Sequence, residues 1–268
     1  MDKTVVKAFT LLEALAAHGH PRRVSELARE LDMAKSNVHR LLQTLASLGY
    51  VRRDEHGLYA ASLGLWERGM QVLAHLAIQR AASEHMRRLA VLSSEQVNLG
   101  IRDGGEVLYI ASIESIQANR ARPILGRRAP IHCVSTGKAM IAYEPDEEVR
   151  AAVKLLQQAT PRTITTLERL KAELAEVRRQ GFAMNLGEWR NGIHGVAAPI
   201  AGSDGAMVAA IAVAGPAERL DAKQLRTLAP HVVAAGHAIA LELAYASSGA
   251  EPPPERPRRT PRPLAAAG

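Results

Sequence analysis

Between Lys35 and Gly49 the chain carries the pattern that most restricts what it can fold into. Val38, Leu41, Leu42, Leu45 and Leu48 recur at i, i+3, i+4, i+7 and i+10, the spacing of a helix that buries one stripe. The opposite face is Lys35, Ser36, Asn37, His39, Arg40 and Gln43, with no acid between Lys35 and Leu48. Gly49 ends the helix. Ala34 stands where a capping side chain is wanted, leaving Ser36 or Asn37 to compensate.

The flanking segments give this helix a context. Val5 to Ala17 is helical in pattern, with Val5, Phe9, Leu12 and Leu15 or Ala16 on one side, and His18-Gly19-His20-Pro21 stops it. A short helix is expected from Ser25 to Leu31, with Ser25 as N-cap, Glu26 in the first turn, and Leu27, Ala28 and Leu31 facing inward. Asp32-Met33-Ala34 is then a three-residue turn. After the third helix, Tyr50 to Arg53 and Leu58-Tyr59 read as two short strands around Asp54-Glu55-His56-Gly57. Residues 1–61 are therefore expected to form a winged helix-turn-helix.

The outward side chains of such a helix suit a DNA major groove. Arginine pairs with two acceptors of guanine, Asn or Gln with adenine, and Ser or Lys with phosphates near the helix start. The competing reading is the solvated face of an ordinary surface helix. The preceding helix and turn, the lack of acids and the basic pair Arg52-Arg53 favour DNA. Ser25, Lys35, Ser36, Asn37, His39, Arg40, Gln43, Arg52 and Arg53 are the candidate DNA contacts. Residues 1–61 hold nine Lys/Arg and seven Asp/Glu, so binding depends on where charge sits, and a dimer on two half-sites is expected.

Composition narrows the rest. Aromatics are 3% of the chain, which argues against recognition of single strands by base stacking. The net charge of +7 suits a polyanion without requiring one. A single cysteine, Cys133, excludes an internal disulfide framework and a cysteine-built zinc site. The N-terminus leads into an amphipathic segment and no apolar run approaches ~18 residues, so the expectation is a cytoplasmic protein with no membrane contact.

Leu63 to about Leu76 reads as a linker helix with Trp66, Met70, Leu73 and Ala77 on one stripe, assigned to residues 62–77. Residues 78–246 mix elements: helices over Ile78–Leu92, Ser135–Tyr143, Asp146–Gln157, from the capping-box spacing Thr165 to Glu168 up to Gly181, and Asp221–Tyr245 with Pro230 a kink. Strands are expected at Val97–Ile101, Val107–Ile113, Phe182–Leu186, Val196–Ile200 and Met207–Val213. The class is α+β. Residues 247–268, rich in Pro, Arg and Ala, read as a disordered basic tail.

Ser135-Thr136-Gly137-Lys138 fits the Ser-x-x-Lys of penicillin-binding enzymes, and a Ser135/Lys138 pair is the enzymatic alternative for the chain, a hydrolase or transferase. No Ser-Asp-Asn or Lys-Thr-Gly partner accompanies it, and His132 and Ala139 break the phosphate-loop pattern. Small residues at a helix start admit a ligand carboxylate closely, with Ser135 and Thr136 as hydrogen-bonding groups; plain N-capping by Ser135 is the alternative. In Glu188-Trp189-Arg190-Asn191-Gly192-Ile193-His194, Arg190 can pair a carboxylate and Trp189 can cover an apolar face, against the alternative of an exposed loop. His132, Cys133 and His194 share no metal-ligand spacing, and no metal or cofactor is expected.

The run Val24-Ser25-Glu26-Leu27-Ala28, then Lys35 to Leu45, then Leu48-Gly49-Tyr50-Val51 resembles the N-terminal domain of the IclR-type bacterial transcription regulators. Gly126 to His132, Ser135 to Ala139, Gly192 to Ile200 and the strand ending Gly215-Pro216 resemble that family's effector-binding domain, in the same order. The resemblance covers the chain to about Tyr245. It implies a winged helix-turn-helix, a linker helix and a mixed α/β effector-binding domain of GAF-like shape. It also implies dimers, often paired into tetramers, that repress or activate genes in response to small organic acids or aromatic catabolites. By this resemblance Gly126, Ser135, Thr136, Gly137, Glu188, Trp189, Arg190, His194, Ala212 and Ala214 belong to the effector pocket. Ala212 and Ala214 stand where relatives often carry Ser, and Gly195 where many carry Cys, which points to a roomier pocket and a bulkier or more apolar acid. The expected function is a DNA-binding regulator, a repressor of a catabolic operon, acting on double-stranded operator DNA as a homodimer or tetramer.

Overall fold

A computed structural model describes residues 1–248 apart from His75, Lys154 and Leu155. The expected tail over 247–268 lies outside the described residues, except that Ser247 and Ser248 end the last helix. The chain divides into two compact units, residues 1–76 and the residues from Ala77 on.

In the first unit, α1 (Lys3–Ala17), α2 (Val24–Glu30) and α3 (Lys35–Ser47) precede the antiparallel pair β1 (Val51–Arg53) and β2 (Tyr59–Ala61), and α4 (Leu63–Ala74) follows. Leu11, Leu12, Leu15, Leu27, Val38, Leu41, Leu42, Val51 and Tyr59 form its core. Each fully enclosed leucine contributes roughly 1.5–3 kcal/mol of transfer free energy. Asp32 takes the left-handed conformation at φ +48°, which short polar side chains tolerate, and this closes the turn between α2 and α3. Arg22 adds an isolated bridge to Tyr59, with both N–H···O bonds at 2.8 Å, which extends the wing toward α2.

Three expectations about this unit need correction. α1 turns its Leu11/Leu12/Leu15 side inward, so Val5 and Phe9 are exposed: it carries apolar residues on more than one face, and packing selects one. Leu48 is also exposed, because α3 ends at Ser47 and the chain turns there. Ser25 is not the N-cap of α2. The helix starts at Val24, and the Glu26 carboxylate accepts the Arg23 backbone N–H at 3.2 Å instead.

In the second unit a six-stranded antiparallel sheet has the order β5-β4-β3-β8-β7-β6. The strands are β3 (Gln96–Asp103), β4 (Glu106–Ile113), β5 (Arg128–Pro130), β6 (Ala183–Leu186), β7 (Ile193–Ala201) and β8 (Met207–Pro216). The helices are α5 (Ala77–Ser93), α6 (Ser135–Ile141), α7 (Asp146–Ala152), α8 (Leu167–Gln180) and α9 (Ala222–Ser248). α5 and α9 pack together on the sheet, and Gly236 of α9 sits so close to Pro199 that a Cβ would meet its carbonyl oxygen at 2.7 Å. Strand alternation puts Ala210 and Ala212 on the other face, in the cluster that holds Ala139 and Met140 of α6 and Leu170 and Leu174 of α8. Helices and an antiparallel sheet segregated in this way make the chain α+β.

β5 and a 3₁₀ turn over Ile131–Cys133 were not expected from the sequence, since three residues are too few to show a period. α7 ends at Ala152, short of Gln157. Thr166 caps α8 by accepting the Arg169 N–H, and Gly181 at φ +81° ends it. Residues 222–246 of α9 are long and apolar enough by composition to cross a membrane, contrary to the expectation that no run approached that length. The helix buries Leu225, Ala229, Val232 and Ile239, as a core helix does.

Candidate functional site

Two separate surfaces carry chemistry, one in each unit. On α3 the apolar stripe Val38, Leu41, Leu42 and Leu45 is buried, which fixes the helix's rotation. Lys35, Ser36, His39, Arg40 and Gln43 are thereby exposed, and Asn37 is half-buried. None of these six side chains has a hydrogen-bond or ion-pair partner among the described residues, so the face is available to an external partner. Ser25 is exposed in the first turn of α2, and Arg52 and Arg53 are exposed on β1. Arg53 lies 5.7 Å from the Tyr59 ring centre, a cation–π contact that holds it along the wing. Asp54 organises the wing turn by accepting the N–H groups of His56 at 3.0 Å and Leu58 at 2.8 Å.

The first turn of α4 is bolted to the end of α3. Ser62 Oγ donates to the Gly49 carbonyl, and a Cβ on Gly64 would lie 2.3 Å from that oxygen. Arg68 donates to the Gly64 carbonyl at 2.8 Å, and its guanidinium sits 4.4 Å from the Tyr50 ring centre. Beyond this turn, α4 buries no residue, and Trp66 is exposed.

In the second unit a small cavity of about 40 Å³ opens on the sheet face that α6 covers. Ala214 pairs with Gln96 and Gly195 in the sheet, and Ala212 with Asn98, so these five residues share one face and make the floor. Ser135, Trp189, Arg190, Ile193 and His194 form walls together with Tyr109, Ile124 and Arg122. Of the residues expected there, Ser135, Trp189, Arg190, His194, Ala212 and Ala214 line the cavity.

Gly126, Thr136, Gly137 and Glu188 do not. Gly126, at φ +72°, turns the chain and donates its N–H to the Tyr109 carbonyl at 2.8 Å. Thr136 stands behind Tyr109, their hydroxyls 3.0 Å apart. Gly137 is forced by packing, since a Cβ there would meet the Ile131 carbonyl oxygen at 2.0 Å. Ser135 does not cap α6. Val134 holds that position, and Ser135 is the first helical residue with its side chain on the cavity.

Arg190 supplies positive charge to the cavity. It stacks on Trp189, its guanidinium carbon 4.0 Å from the ring centre. Burial, then the neighbouring Arg127 charge, push its pKa below the ordinary arginine value, yet guanidinium stays protonated in proteins. The cavity therefore offers a cation without a carboxylate partner beside an aromatic plane. Burial pushes the Tyr109 hydroxyl up to about 12, so it acts as a neutral hydrogen-bonding group. The Gln96 side-chain amide donates to Ser112 Oγ at 3.2 Å, and Ser112 donates to Asn98 Oδ1 at 2.8 Å. Gln96 and Asn98 were not singled out from sequence. Their signal was two amides two residues apart, on one face of a strand and interleaved with Val97 and Leu99.

Lys138 is tied elsewhere. Its ammonium donates to Glu188 Oε1 at 2.7 Å and to Glu173 Oε1 at 2.9 Å, and it makes no hydrogen bond to Ser135 among the described residues. Its ammonium is thus engaged by two carboxylates and not by the Ser135 hydroxyl. His132 Nε2 is 3.2 Å from the Gln157 carbonyl oxygen, and His194 Nδ1 is 2.8 Å from that of Leu220. Burial pushes the Cys133 thiol up to about 12, far from the thiolate that metals or electrophiles require.

Residues 4–55 match the IclR helix-turn-helix domain, and residues 70–241 match the family described as bacterial transcriptional regulator IclR C-terminal. The HTH-type transcriptional regulator KdgR of Escherichia coli is 31% identical over 90% of this chain and 93% of its own length. The HTH-type transcriptional repressor AllR of Escherichia coli is also 31% identical, over 80% of each chain. The crystal structure of the Thermotoga maritima IclR superposes with a TM-score of 0.79 at 29% identity, covering 90% of this chain and 99% of that one. An IclR homologue from Microbacterium hydrocarbonoxydans, crystallised in complex with 4-hydroxybenzoate, shares the fold with a TM-score of 0.78 at 22% identity, over 90% and 99% of the two chains.

Proposed function

Since the chain belongs to the IclR family of bacterial transcriptional regulators, we propose that it is a cytoplasmic repressor of a catabolic operon whose DNA binding is set by a small organic or aromatic acid. The observation that carries the DNA half is the unpartnered, acid-free face of α3, held outward by its buried leucines. Arg40 and Asn37 read base edges, Lys35 and Ser36 meet phosphate near the helix start, and the wing arginines Arg52 and Arg53 hold the backbone. A module this weakly basic acts as a homodimer or tetramer on a palindrome.

Arg190 takes the effector's carboxylate and Trp189, Ile124 and Ile193 cover its body. Ser135 and Asn98 supply hydrogen bonds. Ala212, Ala214 and Gly195 leave room for a bulkier, more apolar acid than serines there would admit. The 4-hydroxybenzoate held by the Microbacterium homologue is an acid of this kind, and repression is the activity named for AllR. Residues 1–61 bind DNA, 62–77 link and 78–246 sense. No cofactor, membrane or catalytic step enters this scheme.

The test begins with selection of binding sites from random duplex DNA by the full chain. Thermal-shift screening of catabolic acids follows, with hits retested for release of the selected site. A palindromic site, release by at least one acid, and loss of that response in Arg190→Ala are expected. Failure to enrich any site, or an acid response unchanged in Arg190→Ala, would overturn the reading.

A further inference from the structure

The arginines around the mouth of the cavity are not explained by a ligand with one carboxylate. Outside the inner cavity lies an open basin of about 720 Å³ whose lining includes Arg120, Arg122, Arg127 and Arg190. Ala121, Arg122, Arg190 and Ile193 line both spaces, so the two adjoin and Arg190 stands at their common wall. Arg120 pairs with Glu114 at 3.2 Å. Arg122, Arg127 and Arg190 have no carboxylate partner among the described residues. Burial, and after it the charges of Arg127 and Arg122, lower the Arg190 pKa.

The chain segment that presents them is tied down. Ser115, almost fully buried, donates to the Ser94 carbonyl at 2.8 Å, and Arg219 donates to the Asn119 carbonyl at 2.7 Å. Ile124 is buried against the cavity, and Tyr109 donates its N–H to the Arg127 carbonyl at 3.1 Å. Arg122 and Arg127, held on this anchored backbone beside Arg190, lack a carboxylate counter-ion among the described residues. They are arranged for one that arrives with a ligand.

We propose that the effector is a dicarboxylic acid, bound with one carboxylate at Arg190 inside the cavity and the second in the outer basin between Arg120, Arg122 and Arg127. This deepens the reading of the cavity as the effector site and rests on it. The apolar walls around Trp189, Ile124 and Ile193 hold the spacer between the two ends. Guanidiniums suit the second end because each offers two parallel N–H groups to a carboxylate.

Calorimetric titration of the full-length protein with matched pairs tests this: terephthalate against 4-methylbenzoate, and adipate against hexanoate. In at least one pair the diacid binds about tenfold more tightly than the monoacid, and the preference shrinks as salt is raised. In Arg120→Gln/Arg127→Gln, two exposed positions outside the inner cavity, the preference falls to within about twofold while monoacid affinity and the thermal midpoint stay unchanged. Equal binding of diacid and monoacid by wild type, or a preference kept in the double variant, overturns the proposal. So does a double variant whose only defect is weaker DNA binding, which would make the basin a nucleic-acid contact. Monoacid binding lost in Arg190→Ala without any diacid preference overturns the dicarboxylate alone. Binding of none of the four acids overturns the dicarboxylate and counts against the cavity as well.

Discussion

Lys138 Nζ stands 2.7 Å from Glu188 Oε1, with the two side chains only 1% and 10% exposed. The pair joins α6, whose first residue Ser135 lines the cavity, to the loop that carries Trp189 and Arg190. Glu188 Oε2 is buried without a partner, and burial holds its carboxyl above the usual carboxylate range in spite of the lysine.

Removal of one member leaves a buried charge uncompensated. Lys138→Met is therefore expected to cost about 3–5 kcal/mol in urea unfolding. The double variant Lys138→Met/Glu188→Leu should recover most of that loss, since an apolar pair needs no counter-charge. A double variant as unstable as the single one would show that the pair is not the cause.

His132 gives a pH dependence with a definite sign. Burial lowers its pKa below 6.5 in the folded protein. As pH falls through 6.5 the unfolded chain takes up this proton first, so stability drops until the folded-state pKa is passed. His132→Gln should lack that part of the acid-side loss. Unfolding free energies of both proteins measured between pH 7.5 and 5 (about two units spanning the unfolded value) check it, and parallel curves would refute it.

Substitutions on α3 should separate reading from holding. Arg40→Ala is expected to cost about 1–3 kcal/mol at the selected site and to relax base preference at one position. Arg52→Ala should weaken all sequences alike and reduce the slope of log affinity against log salt by about one. Binding curves at several salt concentrations distinguish the two.

Two glycines of the second unit should behave differently. Gly137→Ala drives a methyl onto the Ile131 carbonyl and is expected to lower stability by roughly 1–3 kcal/mol, seen in thermal unfolding without ligand. At Gly195 a Cβ would find its nearest neighbours at 3.1–3.4 Å: the Val213 carbonyl oxygen, Ala214 Cβ and Ser135 Oγ. Gly195→Ala should therefore change stability less and instead weaken binding of the bulkier acids. Equal loss of stability in both variants would contradict the distinction.

The sequence by itself determined the elements whose signal is local. The period of Val38, Leu41, Leu42 and Leu45 set both the helix and its outward face, because a helix of 3.6 residues per turn leaves those leucines one place to go. The wing strands, the Gly181 stop and the α+β class were legible for the same reason, each being decided within a few residues, whereas the cap of α8 fell on Thr166 and not on the expected Thr165. Ordered family motifs located the strands and the loop of the second unit, and six of the ten residues expected in the pocket line the cavity.

Only the tertiary structure decided what depends on residues far apart in the chain. It turned Phe9 outward and Leu11 inward on a helix apolar on several sides. It gave Lys138 to Glu188 and Glu173 in place of Ser135. It brought Gln96, Asn98 and Tyr109 to the cavity floor and wall, and gathered Arg120, Arg122 and Arg127 beside Arg190. None of these has a spacing to read, since strand pairing between distant segments chooses the neighbours. The pattern of α3 thus set which face that helix turns outward, whereas the register of the β3–β8–β7 sheet set which side chains floor the cavity.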